Sequence, residues 1–267
     1  MNRDDPVVRL ATLLVWKHYR RRGLKVFVFP VALALLFTAL VVGTALSPGA
    51  LTPSTQRSID ELVSSYFVDV DGAFGHSLAL FLLQGPYLLA LFAGMIGVQV
   101  GTKMATQLVS SGRFELLLAA PYDRRQVFHG LLAGTMLMTL LQLSVFAVLA
   151  IGGPLLFLVS SGVGVTGEFD SLLGLAFVLP VPIALWASLV AILGTLGVGG
   201  GRFEDASDAL SLIGIAPGLA LVLVVTYWPT VDLFVLAAVA LLAAAGLTVA
   251  CSYWVTRRFS AEYVLPS

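Results

Sequence analysis

The stretch DLFVLAAVALLAAAGLTVACSYW, residues 232–254, decides the fold class of this chain. The 22 residues that follow Asp232 include no charged side chain. An α-helix needs about 20 apolar residues to cross the hydrocarbon core of a bilayer. A helix is expected there, because lipid offers no water to satisfy backbone N–H and C=O groups. The stretch therefore predicts a membrane-spanning helix.

Five further apolar runs precede this stretch. They cover roughly residues 24–46, 77–100, 127–150, 172–197 and 210–228. Of the 267 residues, 58% are hydrophobic and 11% are charged, whereas soluble domains carry about 25% charged residues. The mean hydropathy is +0.97. We therefore predict an all-α integral membrane protein with six transmembrane helices.

Charge and cysteine content exclude several other classes of protein. Fifteen Lys and Arg balance fifteen Asp and Glu, so a strongly basic nucleic-acid-binding protein is not indicated. The single cysteine, Cys251, cannot form a disulfide framework or a cysteine-based zinc site. We expect no nucleic-acid partner and no metal site.

The distribution of basic residues predicts the orientation in the membrane. With six spans, fourteen of the fifteen Lys and Arg residues fall on the side of the two termini, and only Arg57 falls on the other side. Lys and Arg are enriched in cytoplasmic loops. The sequence therefore predicts a multi-pass protein with both termini in the cytoplasm.

Two segments outside the apolar runs are predicted to form helices at the membrane surface. Residues 1–23 form a basic leader, in which apolar residues recur at helical spacing over 6–22, as in an amphipathic helix at the interface. The alternative is a plain basic leader that only fixes the topology. Residues 24–267 form the six-helix domain, with an outer loop over 48–75 that includes a short amphipathic helix.

The loop between the second and third spans, residues 102–126, carries the most informative sequence. It includes SGRFELLLAAPYDRRQ over 111–126, which predicts a short helix interrupted at Pro121. Asp123 and Gln126 have the spacing of a capping box, which would start the next helix. A short cytoplasmic helix of this kind could bind a soluble partner or could lie on the membrane.

This loop resembles the permeases of ABC-2 type exporters, especially the NatB-like branch. Those proteins carry a similar Gly, Glu, Leu-Leu, Pro and basic-pair pattern at this place. The resemblance implies that the segment couples the chain to an ATPase through the following residues: Gly112, Arg113, Phe114, Glu115, Leu117, Leu118, Pro121, Arg124 and Arg125. The tail residues Arg258, Phe259, Glu262 and Leu265 are also similar to the end of those permeases.

The resemblance implies an exporter permease in the cytoplasmic membrane of a prokaryote. Two copies of a separate ABC ATPase subunit would bind ATP and Mg²⁺, and this chain would bind no cofactor and would not itself be an enzyme. A second permease copy, identical or related, would complete the pathway. Uncharged side chains such as Gln84, Gln99 and Gln142 would line it.

The chain has no P-loop sequence, which agrees with a separate ATPase. Two alternatives stay open: a secondary transporter, although no charged residue falls at the middle of a span, and a non-transporting membrane scaffold or assembly factor. An intramembrane enzyme is the least favoured reading, because no nucleophile with an adjacent base is visible in the spans.

Overall fold

The computed structural model of the protein describes residues 5–45, 53–112, 116–117, 122–197, 203–228 and 232–258. Within these residues, five helices are long and apolar enough to cross a membrane. They are Gly23–Leu40, Gly85–Ser110, Arg124–Ser160, Gly167–Leu196 and Leu233–Trp254. The chain is thus a helical protein of the membrane-spanning type.

The described helices are numbered here in chain order. They are α1 (Pro6–Arg22), α2 (Val28–Ala45), α3 (Pro53–Tyr66), α4 (Gly72–Leu83), α5 (Gly85–Ser110), α6 (Arg124–Ala147), α7 (Gly153–Ser160), α8 (Gly167–Val178), α9 (Pro180–Gly197), α10 (Phe203–Tyr227) and α11 (Leu233–Arg258). A 3-10 helix at Gly23–Phe27 joins α1 to α2, and a π-helical segment at Val148–Gly152 joins α6 to α7. Two short strands are present, β1 (Phe67–Val68) and β2 (Gly164–Val165).

The predicted span over 210–228 lies within α10. The apolar part of that helix, Ser211–Val224, is shorter than the other five spans. The sixth membrane crossing therefore stays a prediction, as do the surface position of α1 and the extent of a helix in the loop over 102–126.

Two of the predicted spans are divided in the structure, in each case next to a proline. The run over 77–100 is divided at Gln84, between α4 and α5, and Pro86 follows in the first turn of α5. The run over 172–197 is divided at Leu179, before Pro180. Proline has no N–H to donate, so it fits the first turn of a helix and not its interior. The regular hydrogen-bond pattern is therefore interrupted at each proline, although the backbone at Leu179 stays helical and Gly167–Leu196 forms one continuous apolar helix.

The predicted third span, 127–150, is longer in the structure. Helix α6 continues through the π-helical segment into α7, so that the apolar helix covers 37 residues, Arg124–Ser160. Pro154 lies at the start of α7 and cannot donate the backbone bond that a regular helix would need there. A π-helical segment accommodates such a local mismatch without ending the helix.

The chain divides into two compact units. One consists of residues 25–89 and 142–179, and the other of the described residues within 1–24, 90–141 and 180–267. Aromatic contacts pack the first unit. The ring of Phe37 in α2 lies 6.2 Å from Phe81 and 6.5 Å from Phe146, and Phe74 in α4 lies 5.5 Å from Phe157 in α7.

The described part of the predicted outer loop, residues 53–75, belongs to this first unit. Strands β1 and β2 pair antiparallel, with Phe67 opposite Val165. The Thr166 N–H donates to the Tyr66 carbonyl at 3.0 Å. Phe67 is buried and its ring lies 4.8 Å from Phe169. The sequence predicts a small helix in this loop, which is α3, but not the strand pair, which joins residues about 100 positions apart.

Candidate functional site

The loop predicted over 102–126, called the coupling loop here, is shorter in the structure, because residues 102–110 continue α5 to Ser110 in the second unit. The Gly112 N–H donates to the Val109 carbonyl at 3.0 Å, and Gly112 has a φ of +62°. Only glycine adopts this left-handed conformation without steric cost, and a helix commonly ends on such a residue. Gly112 is therefore explained by the need to end α5 sharply.

The middle of the loop lies largely outside the described residues. This applies to five of the predicted coupling residues, which are Arg113, Phe114, Glu115, Leu118 and Pro121. Leu117 is half-buried and helical, next to Leu116, which is 69% exposed. The roles assigned to these residues by the resemblance stay predictions.

The loop ends with the helix start that the sequence predicts. The side-chain oxygen of Gln126 accepts a hydrogen bond from the Asp123 N–H at 3.1 Å. The Asp123 carbonyl in turn accepts from the Val127 N–H at 3.0 Å. The first bond is one half of a capping box, in which the third helical residue caps the backbone N–H of the residue before the helix. The second is the first bond of the helix itself, so α6 begins at Arg124.

The basic pair follows directly, and one member of it has a distant partner. The Arg125 guanidinium donates from Nε to Ser252 Oγ at 3.0 Å. Arg125 is exposed, whereas Ser252, in the last turns of α11, is 1% exposed. The end of the coupling loop is therefore attached to α11 as well as to α6.

Helices also pack closely elsewhere in the second unit. A Cβ atom at Gly101 in α5 would lie 2.7 Å from the Ala191 Cβ in α9, and one at Gly97 would lie 2.9 Å from the Ala187 Cβ. Small residues at four-residue spacing allow such close approach of two helix backbones. The Gly97 and Gly101 pair therefore serves an interface within the chain.

The glycine pair in α6 also contacts a helix of the same chain. A Cβ at Gly130 would lie 2.6 Å from Leu10 Cδ2, and one at Gly134 would lie 3.4 Å from the Ala11 carbonyl oxygen. Both neighbours belong to α1, and both are buried. Helix α1 is thus packed against α6 over at least one turn.

The three glutamines predicted to line a pathway have different surroundings. Gln84 is exposed at the turn between α4 and α5, and Gln99 is half-buried in α5. Gln142 is 4% exposed, and its Oε1 atom has no hydrogen-bond partner within the described part of the chain. Of the three glutamines, Gln142 is therefore the one with a buried polar atom that has no partner among the described residues, and an ordered water is one explanation of such an atom.

Ser252 was not identified from the sequence, since a serine in an apolar helix gives no signal of a partner 127 residues away. Among the residues that the structure describes, no group of three or more His, Cys, Asp or Glu side chains could bind a metal ion. The described geometry is that of a helix start, a basic pair and an attachment to a second helix.

We compared the chain with models of known protein families, with curated proteins and with solved structures. None of the three comparisons gives a match. The likeness to ABC-2 type permeases therefore rests on the residues of the coupling loop and the tail.

Proposed function

We propose that the chain is the transmembrane permease subunit of an ABC-type exporter in the cytoplasmic membrane of a prokaryote, driven by a separate ATP-binding subunit. The substrate pathway would form with a second permease copy. We infer an ABC ATPase as the partner from the resemblance of residues 111–126 to ABC-2 type permeases. The five described helices that could span a membrane agree with a permease.

The observation that carries the proposal is the attachment of Arg125 to Ser252. A loop that binds a soluble subunit must pass its displacement to the spans in order to do work. Residues 122–126 are continuous with α6 through the capped start at Asp123, and Arg125 connects them to α11. Movement of this loop would therefore reach two helices of the second unit together.

The energy source that we propose for transport follows from a motif that the sequence does not contain. It has no P-loop, so ATP binding on the partner must bias an equilibrium between inward-open and outward-open states. A ligand shifts such an equilibrium only by its differential affinity for the two states. The coupling loop would have to bind the ATPase differently in its ATP-bound and ATP-free forms.

Reconstitution with a P-loop ATPase encoded beside this chain tests the proposal. The purified chain alone should neither hydrolyse ATP nor accumulate substrate in vesicles. With the ATPase, hydrolysis should appear, and transport should persist when ionophores collapse the proton and sodium gradients. Transport by the chain alone that disappears with ionophore would establish a secondary transporter instead.

A variant of the coupling loop makes the test specific. Glu115→Ala should reduce co-purification with the ATPase, or leave hydrolysis no longer coupled to transport, while the thermal stability of the chain stays within about 0.5 kcal/mol. Glu168→Ala is the matched control, since Glu168 is an exposed acidic residue in the first turn of α8. Equal effects of both substitutions, or failure of Glu115→Ala to insert, would contradict the coupling assignment.

A further inference from the structure

A cleft lies between α1 and the last two turns of α5. Both helices belong to the second unit in this region. Its lining consists of Leu14, Lys17, His18, Arg21, Met104, Gln107 and Leu108.

The polar half of the cleft has the groups that recognise a phosphate. Lys17 and Arg21 are basic side chains, His18 adds an imidazole that is 5% exposed, and Gln107 adds an amide. No lining residue is a carboxylate. Arg binds phosphate oxygens with two parallel N–H donors, and Lys binds them as a compact charge. The cleft therefore favours an anion over a neutral or cationic group.

The other half of the cleft is apolar. Leu14, Met104 and Leu108 line it. Beside it on α1, Leu13 is 55% exposed and Trp16 is 62% exposed. Trp is enriched where protein meets the boundary between lipid and water. A ligand that fits this combination has an anionic head next to hydrocarbon.

The position along α5 fits the depth of lipid phosphates. Helix α5 ends at Ser110, so Gln107 and Leu108 lie in its final turn. The hydrocarbon core takes up about 20 residues of a spanning helix. The predicted span over 77–100 ends four residues before Met104, about 6 Å along the helix axis, so this part of the cleft falls at the level of the headgroups.

We propose that this cleft binds the phosphate group of an anionic phospholipid, with Lys17, Arg21 and Gln107 contacting the phosphate oxygens and Leu14 and Leu108 contacting the start of the acyl chains. The proposal requires only that the chain spans a membrane. It does not rest on the exporter function, so the two can fail separately.

The test measures lipid binding to the purified full chain in a non-ionic detergent by native mass spectrometry. The ligands are dioctanoyl phosphatidylglycerol, dioctanoyl phosphatidylcholine and inorganic phosphate. The wild type should bind phosphatidylglycerol more tightly than phosphatidylcholine. The double substitution Lys17→Gln with Arg21→Gln should weaken phosphatidylglycerol binding by about fivefold for each phosphate contact removed. It should weaken phosphatidylcholine binding less, because the same groups that attract its phosphate repel its choline.

The matched control is Arg9→Gln with Arg20→Gln. These residues are exposed on the same helix and do not line the cleft. The control removes the same charge and should change phosphatidylglycerol binding by less than about twofold. Equal losses in the two double variants would mean that diffuse surface charge binds the lipid, which would overturn the proposal.

Two further measurements complete the test: the binding of inorganic phosphate, and the binding of lipid to a variant that can replace the double variant if that does not fold. Inorganic phosphate that binds as tightly as phosphatidylglycerol would identify a site for a soluble anion and overturn the lipid assignment. If the double variant of Lys17 and Arg21 does not fold, Gln107→Leu takes its place without a change in charge. It should weaken phosphatidylglycerol binding by about fivefold, the effect of one hydrogen bond. Unchanged binding would contradict the proposal.

Discussion

At the scale of single residues, the contact between Arg125 and Ser252 connects parts of the chain that are 127 positions apart. Hydrogen bonds to charged groups contribute about 1.5–3 kcal/mol when buried. The guanidinium of Arg125 is exposed, so water reduces its contribution. We expect about 1 kcal/mol from this bond.

A double-mutant cycle measures that value. Arg125→Gln, Ser252→Ala and the double variant should each lower the free energy of unfolding in detergent, with a coupling energy of about 1 kcal/mol between the two sites. Thr248→Ala is the control in α11, because the Thr248 hydroxyl bonds only to the Ala244 carbonyl of its own helix in the described structure. Thr248→Ala should show no coupling to Arg125→Gln. Additive effects of Arg125→Gln and Ser252→Ala would show that the bond does not form in the membrane protein.

The capping at Asp123 illustrates what a sequence reveals at this scale. The residues involved lie within four positions of one another, so their spacing alone predicts the hydrogen bond from the Asp123 N–H to Gln126. The partner of Arg125 could not be predicted, because the packing of α6 beside α11 depends on the whole second unit. Local backbone chemistry is readable in advance, whereas the pairing of distant polar side chains is not.

At the scale of helices, α5 and α9 pack closely because glycine residues of α5 lie where the two helices are in contact. Gly101→Ala should destabilise the protein by about 1–3 kcal/mol, since the added Cβ would lie 2.7 Å from the Ala191 Cβ. Neither atom can rotate away, so the helices must separate. Thermal unfolding in detergent, followed by circular dichroism, measures the effect.

The same substitution elsewhere should be harmless. Gly246→Ala in α11 introduces a Cβ with no atom within 4 Å, and alanine is the better helix former by about 0.5–1 kcal/mol. It should leave the melting temperature unchanged or raise it. Restoring space with Gly101→Ala and Ala191→Gly together should recover part of the loss. A loss no larger for Gly101→Ala than for Gly246→Ala would contradict the packing described for α5 and α9.

The hydropathy of the sequence predicts where the apolar helices lie, but it does not predict where they are interrupted. The run over 77–100 has no charged residue, so nothing in its apolar pattern separates α4 from α5 at Gln84. The division depends on the missing N–H of Pro86. This is a single backbone group, and hydropathy does not detect it. The strand pair was likewise beyond prediction, since two-residue strands such as β1 are too short to show an alternating pattern.

At the scale of the whole molecule, the distribution of basic residues predicts that both termini lie in the cytoplasm. Single cysteines at Ser54 and Ser207, in a Cys251→Ala background, test this orientation in intact cells. An impermeant thiol reagent should label the cysteine at position 54 from outside and the one at position 207 only after the cells are opened. The Cys251→Ala parent is the control and should stay unlabelled.

The outcome also tests the three predicted spans that lie between positions 54 and 207. If α10 and α11 both span the membrane, position 207 and the C-terminus lie on the same side. Labelling of both positions from outside would show that the six-span arrangement is wrong. Labelling of position 207 from outside and of position 54 only from inside would reverse the orientation.

The strand pair in the first unit also indicates how deeply this part of the protein lies in the membrane. A two-stranded ribbon leaves half of its backbone groups without a partner in the ribbon, and hydrocarbon cannot solvate them. Four of the residues 161–166, a segment that contains β2, are exposed, so we expect this segment to lie outside the hydrocarbon. In the preceding helix α7, Leu156 is 71% exposed and Phe157 is 50% exposed, so these side chains suit lipid. Phe157 and Ser161 are separated by four residue steps, a rise of about 6 Å, so we expect one surface of the hydrocarbon layer to cross the protein within that interval.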